Sequence, residues 1–446
     1  MNKKITLLSL TIMGVLSLFV FTPCFAVDRN NLNVEFFTRF NDDYLFEYVN
    51  EAISNNHNAK QATIRVEEYR QNVKSQFANE LPSLGVAANY LGMHVPEISP
   101  AFNNIRKNNF VLPFIVNYEA DFLLKNRDKT KSAKKSLEMS KFDEKSAYLA
   151  LITDVATVYT NILEYDKLIA EQEKIVENYN QILKDDNKKL SRGVINTTQI
   201  NNSKSNVEQA NITLENLIKQ REILLMQFAV LIGRSTESAN DIERGSIDNF
   251  EYSEIIPSEI ESDVIFSRPD VKRAEAGLEK AKIDIRVARK EFLPRFNITG
   301  VWAFNTIAPG SFFSWESSLA ALLAGATQDI FAGGRKIANL KYQKAKYEEL
   351  IEQYRQTDLN AVKEVNTSLC IVKHDTEVEN KTKDKLFLET QNLKNAEKML
   401  NRGVVSKSQY LNSKNLYISK DMDLTKAKTQ RLVNYYTLYK TVGGKL

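Results

Sequence analysis

From about Arg127 to Leu190 the chain carries neither glycine nor proline, and Tyr148, Val155, Ile162, Ile169, Val176 and Leu183 recur at seven-residue steps. That spacing predicts a coiled-coil seam. At 1.5 Å per residue, a continuous helix over this stretch would be roughly 95 Å long. Arg192-Gly193-Val194-Ile195-Asn196 breaks it, and Val207, Ala210, Leu214, Leu217, Leu224 and Leu231 mark a returning helix, so an antiparallel hairpin is expected. A second hairpin follows. Val365, Val372, Leu386, Leu393 and Leu400 keep the seven-residue step with Glu379 as the exception, Arg402-Gly403-Val404 turns the chain, and Tyr410, Tyr417, Leu424 and Leu438 lead back with Arg431 as the exception. Gly193 and Gly403 suit the positive-φ position that ends a helix.

Between the helices the period changes to two. Phe110, Leu112, Phe114, Val116, Tyr118, Ala120 and Phe122 alternate with a face that becomes polar at Asn117, Glu119 and Asp121. Leu84, Val86, Ala88 and Tyr90 alternate before them; Phe296, Ile298, Gly300, Trp302 and Phe304 alternate with Asn297, Thr299 and Asn305. A fourth segment, around Phe312 to Ile330, is blurred by the apolar run Leu319 to Ala324. Strands of about 9 to 11 tilted residues can cross a bilayer, whereas four strands cannot close a barrel. Either these strands form a small soluble sheet on the helices, or several copies of the chain share one membrane barrel.

The chain is also internally duplicated. Leu81-Pro82-Ser83 returns as Leu293-Pro294-Arg295, Arg192-Gly193-Val194 as Arg402-Gly403-Val404, and Asp121 to Arg127 as Asp329-Ile330-Phe331-Ala332-Gly333-Gly334-Arg335 at nearly the same offset. The expected organisation is a signal peptide over 1–26, a first repeat over 27–240 with strands in 82–122 and a hairpin in 125–233, and a second repeat over 241–446 with strands in 294–330 and a hairpin in 333–442. The signal is read from Lys3-Lys4, the apolar run Ile5 to Phe21, and Cys24-Phe25-Ala26 with small residues at the usual cleavage positions; a retained anchor or a lipidated Cys24 are the competing readings.

Composition narrows the function. Sixty basic against 56 acidic side chains leave a net charge of only +4, and no basic stripe with interleaved aromatics is present, so nucleic acid is not an expected partner. His57, His94 and His374 lie far apart without a second ligand at metal spacing, and Cys370 reads as a buried, inert thiol. Gly333-Gly334 lacks the Lys-Ser/Thr of a phosphate loop and reads as a hinge between strand and helix. No convergent catalytic set is visible, so neither an enzyme nor a cofactor is expected. Trp302, Trp315, Phe312, Phe313 and Tyr90 sit within or at the ends of strand segments, either as membrane-interface rings or as ordinary sheet packing.

Ser267-Arg268-Pro269-Asp270-Val271 with Ala274-Glu275, then Ala288-Arg289 and Phe292-Leu293-Pro294, open the second copy; the Asp329 to Arg335 junction and Leu438-Tyr439-Lys440-Thr441-Val442-Gly443-Gly444 follow. In this order the motifs resemble the TolC-like outer-membrane efflux protein family, in particular the channels serving resistance-nodulation-division pumps. The resemblance implies a mainly α fold with transmembrane β. Coiled-coil hairpins would form an α-barrel in the periplasm, and four strands per protomer would contribute to a trimeric 12-stranded β-barrel in outer-membrane lipid. It further implies a homotrimeric, passive exit duct for small amphipathic compounds such as drugs, with a periplasmic adaptor and an inner-membrane pump as partners. A secreted coiled-coil scaffold or adaptor and a type I protein secretion duct are the alternatives. The turns Arg192-Gly193-Val194 and Arg402-Gly403-Val404 match the family's periplasmic entrance and adaptor contact, although a plain helix stop would use the same glycines. Where family members often carry an aspartate at the pore constriction, this chain has Gln409 and Asn412.

Overall fold

The structure is a computed structural model that describes residues 33–95, 105–252, 257, 259–306 and 313–446; the expected signal peptide, Cys24 and Phe312 lie outside them. In chain order the elements are α1 (Asp43–Asn55), α2 (His57–Ala78), β1 (Ser83–Val86), β2 (Asn89–Val95), β3 (Ile105–Ala120), α3 (Lys125–Ser191) and α4 (Thr197–Leu231). After a connecting segment come α5 (Ser262–Phe266), α6 (Pro269–Lys290), β4 (Arg295–Thr306), β5 (Ser318–Thr327), α7 (Arg335–Asn401) and α8 (Lys407–Thr441). The helix starts are chemically marked. Asp42 accepts from the Tyr44 and Leu45 amides, Asn56 from those of Asn58 and Ala59, and Pro269 occupies the first turn of α6, where its missing N–H costs nothing.

α3 and α7 are each 67 residues long, and α4 and α8 are each 35. The longer pair would reach roughly 100 Å. α3 is the central member, contacting α1, α2, α4, α6 and α8. Leu151 and Val158 on one side and Thr153 and Thr160 on the other are therefore all buried although they do not share one face. Tyr148, Val155, Ile162 and Ile169 follow the expected seam. Beyond them Val176 and Leu183 are only half-buried, and the contact passes to Gln172, Asn178 and Ile182. Polar members are satisfied across the seam: Gln172 donates to the Ala210 carbonyl at 2.9 Å and Asn178 to the Asn415 amide oxygen at 2.7 Å.

On α8 the structure corrects the expected face. Leu411, Asn415, Ile418, Met422, Thr425, Thr429, Leu432, Tyr436 and Tyr439 are buried, alternating steps of four and three in a regular a/d pattern. Tyr410, Tyr417 and Leu424 flank that seam half-buried, and of the expected set only Leu438 is fully buried. Counting apolar residues at seven-residue steps passed over the seam because Asn415, Thr425 and Thr429 belong to it. The two charged exceptions have a common explanation: Glu379 on α7, 3% exposed, is ion-paired with Arg431 on α8, and Lys383 lies 2.8 Å from the second carboxylate oxygen. Cys370 is corrected too: it is exposed on α7, not buried, because the inward positions of that turn are Ser368 and Val372.

The strands form one antiparallel sheet in the order β1/β2, β3, β4, β5. β1 and β2 occupy one strand position in a single register against β3, from Ser83↔Asn117 to Val95↔Ile105. The gap between them faces Pro113. Ala87 donates to the Pro113 carbonyl at 3.1 Å, but proline has no N–H to return, so the ladder is interrupted there. Pairings Phe114↔Trp302, Leu112↔Phe304 and Val86↔Phe114 place the apolar sets of both copies on one face. Asn117↔Thr299 and Glu119↔Asn297 place the polar set on the other, with Thr299 donating to Asn117 at 3.1 Å. The blurred fourth segment contains β5, whose Leu319, Leu322 and Leu323 are exposed on both faces.

Replacing Arg431 by leucine leaves the buried carboxylate with Lys383 alone and should cost about 2 kcal/mol, while Glu379→Leu with Arg431→Leu together should recover most of that loss. Denaturant melts of the four proteins, followed by helical circular dichroism, measure the coupling; strictly additive losses would show that the pair is not an energetic unit.

Candidate functional site

The two turns are near copies of one another. Arg192 and Arg402 are the C-caps of α3 and α7, followed by Gly193 at φ +69° and Gly403 at φ +74°. Gly193 N–H donates to Leu190 and Val194 N–H to Lys189; Gly403 and Val404 donate to Leu400 and Met399 in the same pattern, each at 2.9 Å. These are Schellman motifs, which satisfy the last carbonyls of the helix and require a left-handed residue. Nothing lies within 4 Å of where a Cβ on either glycine would be, so conformation and not crowding selects glycine. The succeeding helices start with matched capping boxes, Asn196 with Gln199 and Ser406 with Gln409.

Both turns lie at one end of the protomer, because Lys189 Nζ is 3.3 Å from Ser408 Oγ and Lys407 Nζ is 4.0 Å from Asp185. Val194 and Val404 are 68% and 70% exposed, an apolar residue on each tip with no partner in the protomer to cover it. Of the two residues expected at a constriction, Gln409 has its side chain turned back, its Oε1 accepting from the Ser406 N–H at 2.8 Å. Asn412, one turn on, is exposed.

Gly333 and Gly334 lie at the opposite end of α7, at φ +57° and +80° with open space around both. Gly334 is the N-cap of α7, and the corresponding N-cap of α3 is Leu124, also left-handed at φ +57°. The junctions thus align Leu124 with Gly334, not Asn126 as the motif comparison implied. A leucine there carries roughly 1 kcal/mol of strain. The first junction is tied down accordingly: Asp121 accepts from the Lys125 and Arg127 amides at 2.7 and 2.9 Å, and Lys290 Nζ bonds the Leu124 carbonyl at 3.0 Å. Lys290 also reaches the buried Asp128 at 2.7 Å. Burial pushes the Asp128 carboxyl up, but hydrogen bonds from Lys290 and Arg286 outweigh it and hold the group below its ordinary value. Beside this junction, an open recess of about 540 Å³ on the polar sheet face is lined by Asn117, Glu119, Lys129, Asn297 and Thr299.

Arg268 has a structural role that motif reading missed. Its guanidinium is buried, forks onto Asp270 at 3.0 and 2.8 Å, reaches Glu364 on α7 at 2.7 Å, and donates to the Thr441 carbonyl at the end of α8 at 2.9 Å. One side chain therefore closes the C-terminal end of the second hairpin against α6. An arginine immediately before Pro-Asp at a helix start was the available signal, since only a planar five-donor group serves three elements at once. His57 and His374 are exposed and separate, and no group of His, Cys, Asp and Glu able to hold a metal ion is found among the described residues.

Comparison with known proteins agrees with this architecture. The chain is 25% identical over 410 residues to outer membrane protein OprJ of Pseudomonas aeruginosa, covering 90% of this chain and 84% of that one. It is 24% identical over 430 residues to the cation efflux system protein CusC of Escherichia coli, covering 93% and 90%. The crystal structure of the Campylobacter jejuni CmeC outer membrane channel superimposes with a TM-score of 0.86 at 20% identity, covering 93% of this chain and 88% of that one. The family profile described as outer membrane efflux protein matches residues 48–234 and 262–444, both copies of the duplicated design, and the chain belongs to that family.

Proposed function

We propose that three copies of this chain form a passive exit duct for small amphipathic compounds, with one shared β-barrel in the outer membrane and the long hairpins lining a periplasmic tunnel. The observation that carries this reading is the open sheet: four strand positions, an apolar face and two edges that no strand among the described residues pairs, continuous with helices of 67 residues. β4 has 12 residues, enough to cross a bilayer at a tilt. Tyr90, Phe313 and Trp315 are 62%, 72% and 83% exposed near one end of the sheet and Phe122 is 74% exposed at the other, the placement of interfacial rings in a membrane barrel. α7 supports the assembly as well. Leu359, Val362, Ile371, Val378, Phe387 and Leu388 are exposed along it, more apolar surface than a helix facing water carries.

The chain supplies a wall and no energy source, so an inner-membrane pump must drive transport and a periplasmic adaptor must join the two. The helix tips are the adaptor contact: Arg192, Gly193, Val194 and Arg402, Gly403, Val404 present two equivalent knobs, each with an exposed valine. At the constriction Asn412 replaces the charge that an aspartate would bring, and with Gln409 held in its capping box the ring is neutral. A neutral amide binds divalent cations weakly.

Membrane fractionation with size analysis of the detergent-extracted protein should find a trimer in the outer membrane; a soluble monomer would overturn the shared barrel. Exchanging both Arg-Gly-Val turns for an unrelated helix stop of equal length should lower adaptor cross-linking and efflux about tenfold, about 1.4 kcal/mol of docking energy, with the trimer intact. Unchanged cross-linking would reduce the tips to helix stops. In single-channel recordings the parent protein should show weak divalent block from the periplasmic side and Asn412→Asp a stronger one; equal block in both would remove Asn412 from the constriction.

A further inference from the structure

We infer that each seam between copies is locked, at the boundary between barrel and helices, by a hydrophobic clasp in which Ile330 and Phe331 of one copy pack against Phe77 and Leu81 of the next. This rests on the three-copy reading above and adds to it a specific contact.

The argument starts from exposure. Ile330 is 98% and Phe331 88% exposed in the protomer, in the segment joining β5 to α7. Two fully solvated large apolar side chains in sequence forfeit roughly 3 to 6 kcal/mol of burial. The matching junction of the first copy also exposes Phe122, at 74%, but Asp121 ties it to the start of α3 through two amide bonds. In the second junction Gly333 and Gly334 both take positive φ with nothing near them; the segment is held by Gln328 donating to the Phe292 carbonyl at 2.8 Å and by Lys336 at 3.4 Å from Asp329, which leaves Ile330 and Phe331 projecting. The segment is a projecting finger.

Strand order says what it meets. β5 is one edge of the sheet and β1 the other, and the strands alternate in direction across it, so β5 of one copy and β1 of the next are antiparallel neighbours in a closed barrel. β1 begins at Ser83, at the end of the sheet where β5 finishes with Thr327. The sheet is also stepped. Ser83, Asn117, Thr299 and Leu323 are successive partners on one level, yet β5 continues past that level to Thr327. A barrel keeps such a stagger around its circumference, so the next copy's β1 starts beside the residues that follow Thr327. The residues entering β1 are the end of α2 and its turn, where Phe77 and Leu81 are 47% and 52% exposed. Two apolar pairs that are uncovered in the protomer are thereby brought to the same place by the backbone alone, continuous with the strand seam.

The test uses the full chain in its own membrane, in a Cys370→Ser background because Cys370 is exposed. Phe331→Cys is combined with Leu81→Cys, and Ile330→Cys with Phe77→Cys as a second pair. A disulfide needs Cα atoms within about 7 Å, and the periplasm permits oxidation. The expected result is that at least one pair yields linked dimers and trimers from most of the chains, at least tenfold more than any single-cysteine variant. A parent trimer in which neither pair links overturns the clasp and leaves the duct standing. A parent protein that is not a trimer removes the seam itself and overturns both.

Discussion

In hydrocarbon a backbone N–H or C=O without a partner costs several kcal/mol, and there is no water to take the place of a missing strand. The sheet has two edges, β1/β2 and β5, that no strand among the described residues pairs, and an apolar face that suits lipid. Most of the rest follows from that constraint. A chain with four strand positions and a lipid-facing side is an incomplete object, and repetition of the chain around an axis is the economical way to complete it. Even the placement of Pro113 respects the rule. Its missing donor falls on the side of β1/β2, where it breaks one strand into two, while the ladder between β3 and β4 runs unbroken from Phe110↔Thr306 to Ala120↔Phe296.

The helical part obeys a different economy. Helices of 67 residues cannot be held by a globular core, since most of their length has only one or two neighbours. Stability there must come from a seam, and the seam contains polar residues that would be costly if misregistered. Asn178 meets Asn415, Gln172 meets the Ala210 carbonyl, and Glu379 meets Arg431. Sliding either hairpin by one turn would leave a buried amide or carboxylate unpaired, so these contacts act on register more than on net stability. Where the bundle is thickest, Phe36, Phe37, Phe40, Tyr436 and Tyr439 pack as an aromatic plug, with Phe36 stacked on Tyr439 at 4.4 Å. This joins the N-terminal segment to the last helix and ties the two ends of the described chain together.

How much of this was legible beforehand depended on whether the signal was local. The paired turns could be read because one glycine in a Schellman motif is a local requirement, and the strands because alternation is a property of the strand itself. The seam of α8 could not be read from apolar spacing, since three of its nine buried positions are Asn415, Thr425 and Thr429, and their burial is decided by what α3 and α7 place opposite them. Cys370 failed for the same reason: an apolar neighbourhood in sequence, Leu369 and Ile371, does not say which way a helix faces. Gln409, expected at the constriction, also accepts from the Ser406 amide three residues away, a local capping-box bond. Arg268 lay in plain view in a quoted motif, but its partners Glu364 and Thr441 are far along the chain and only the fold brings them to it.

The duplication shows most clearly where its copies differ. α3 and α7 have the same length and the same turn, yet α3 is contacted by five helices while α7 leaves Leu359, Val362, Ile371, Val378, Phe387 and Leu388 uncovered. The junctions differ in the same sense, with Leu124 held in a strained conformation by Asp121 and Lys290 in one copy and two unconstrained glycines in the other. Equal copies of one ancestral unit would both be half-covered. In a ring of identical chains, however, one hairpin of each chain can lie at its centre and the other at its border, and the two then experience different surroundings in every protomer. Burial around α3 selects for packing within the chain, and exposure along α7 selects for packing against the next chain. The asymmetry between the halves is therefore what a cyclic assembly of duplicated chains would impose on sequences that began alike.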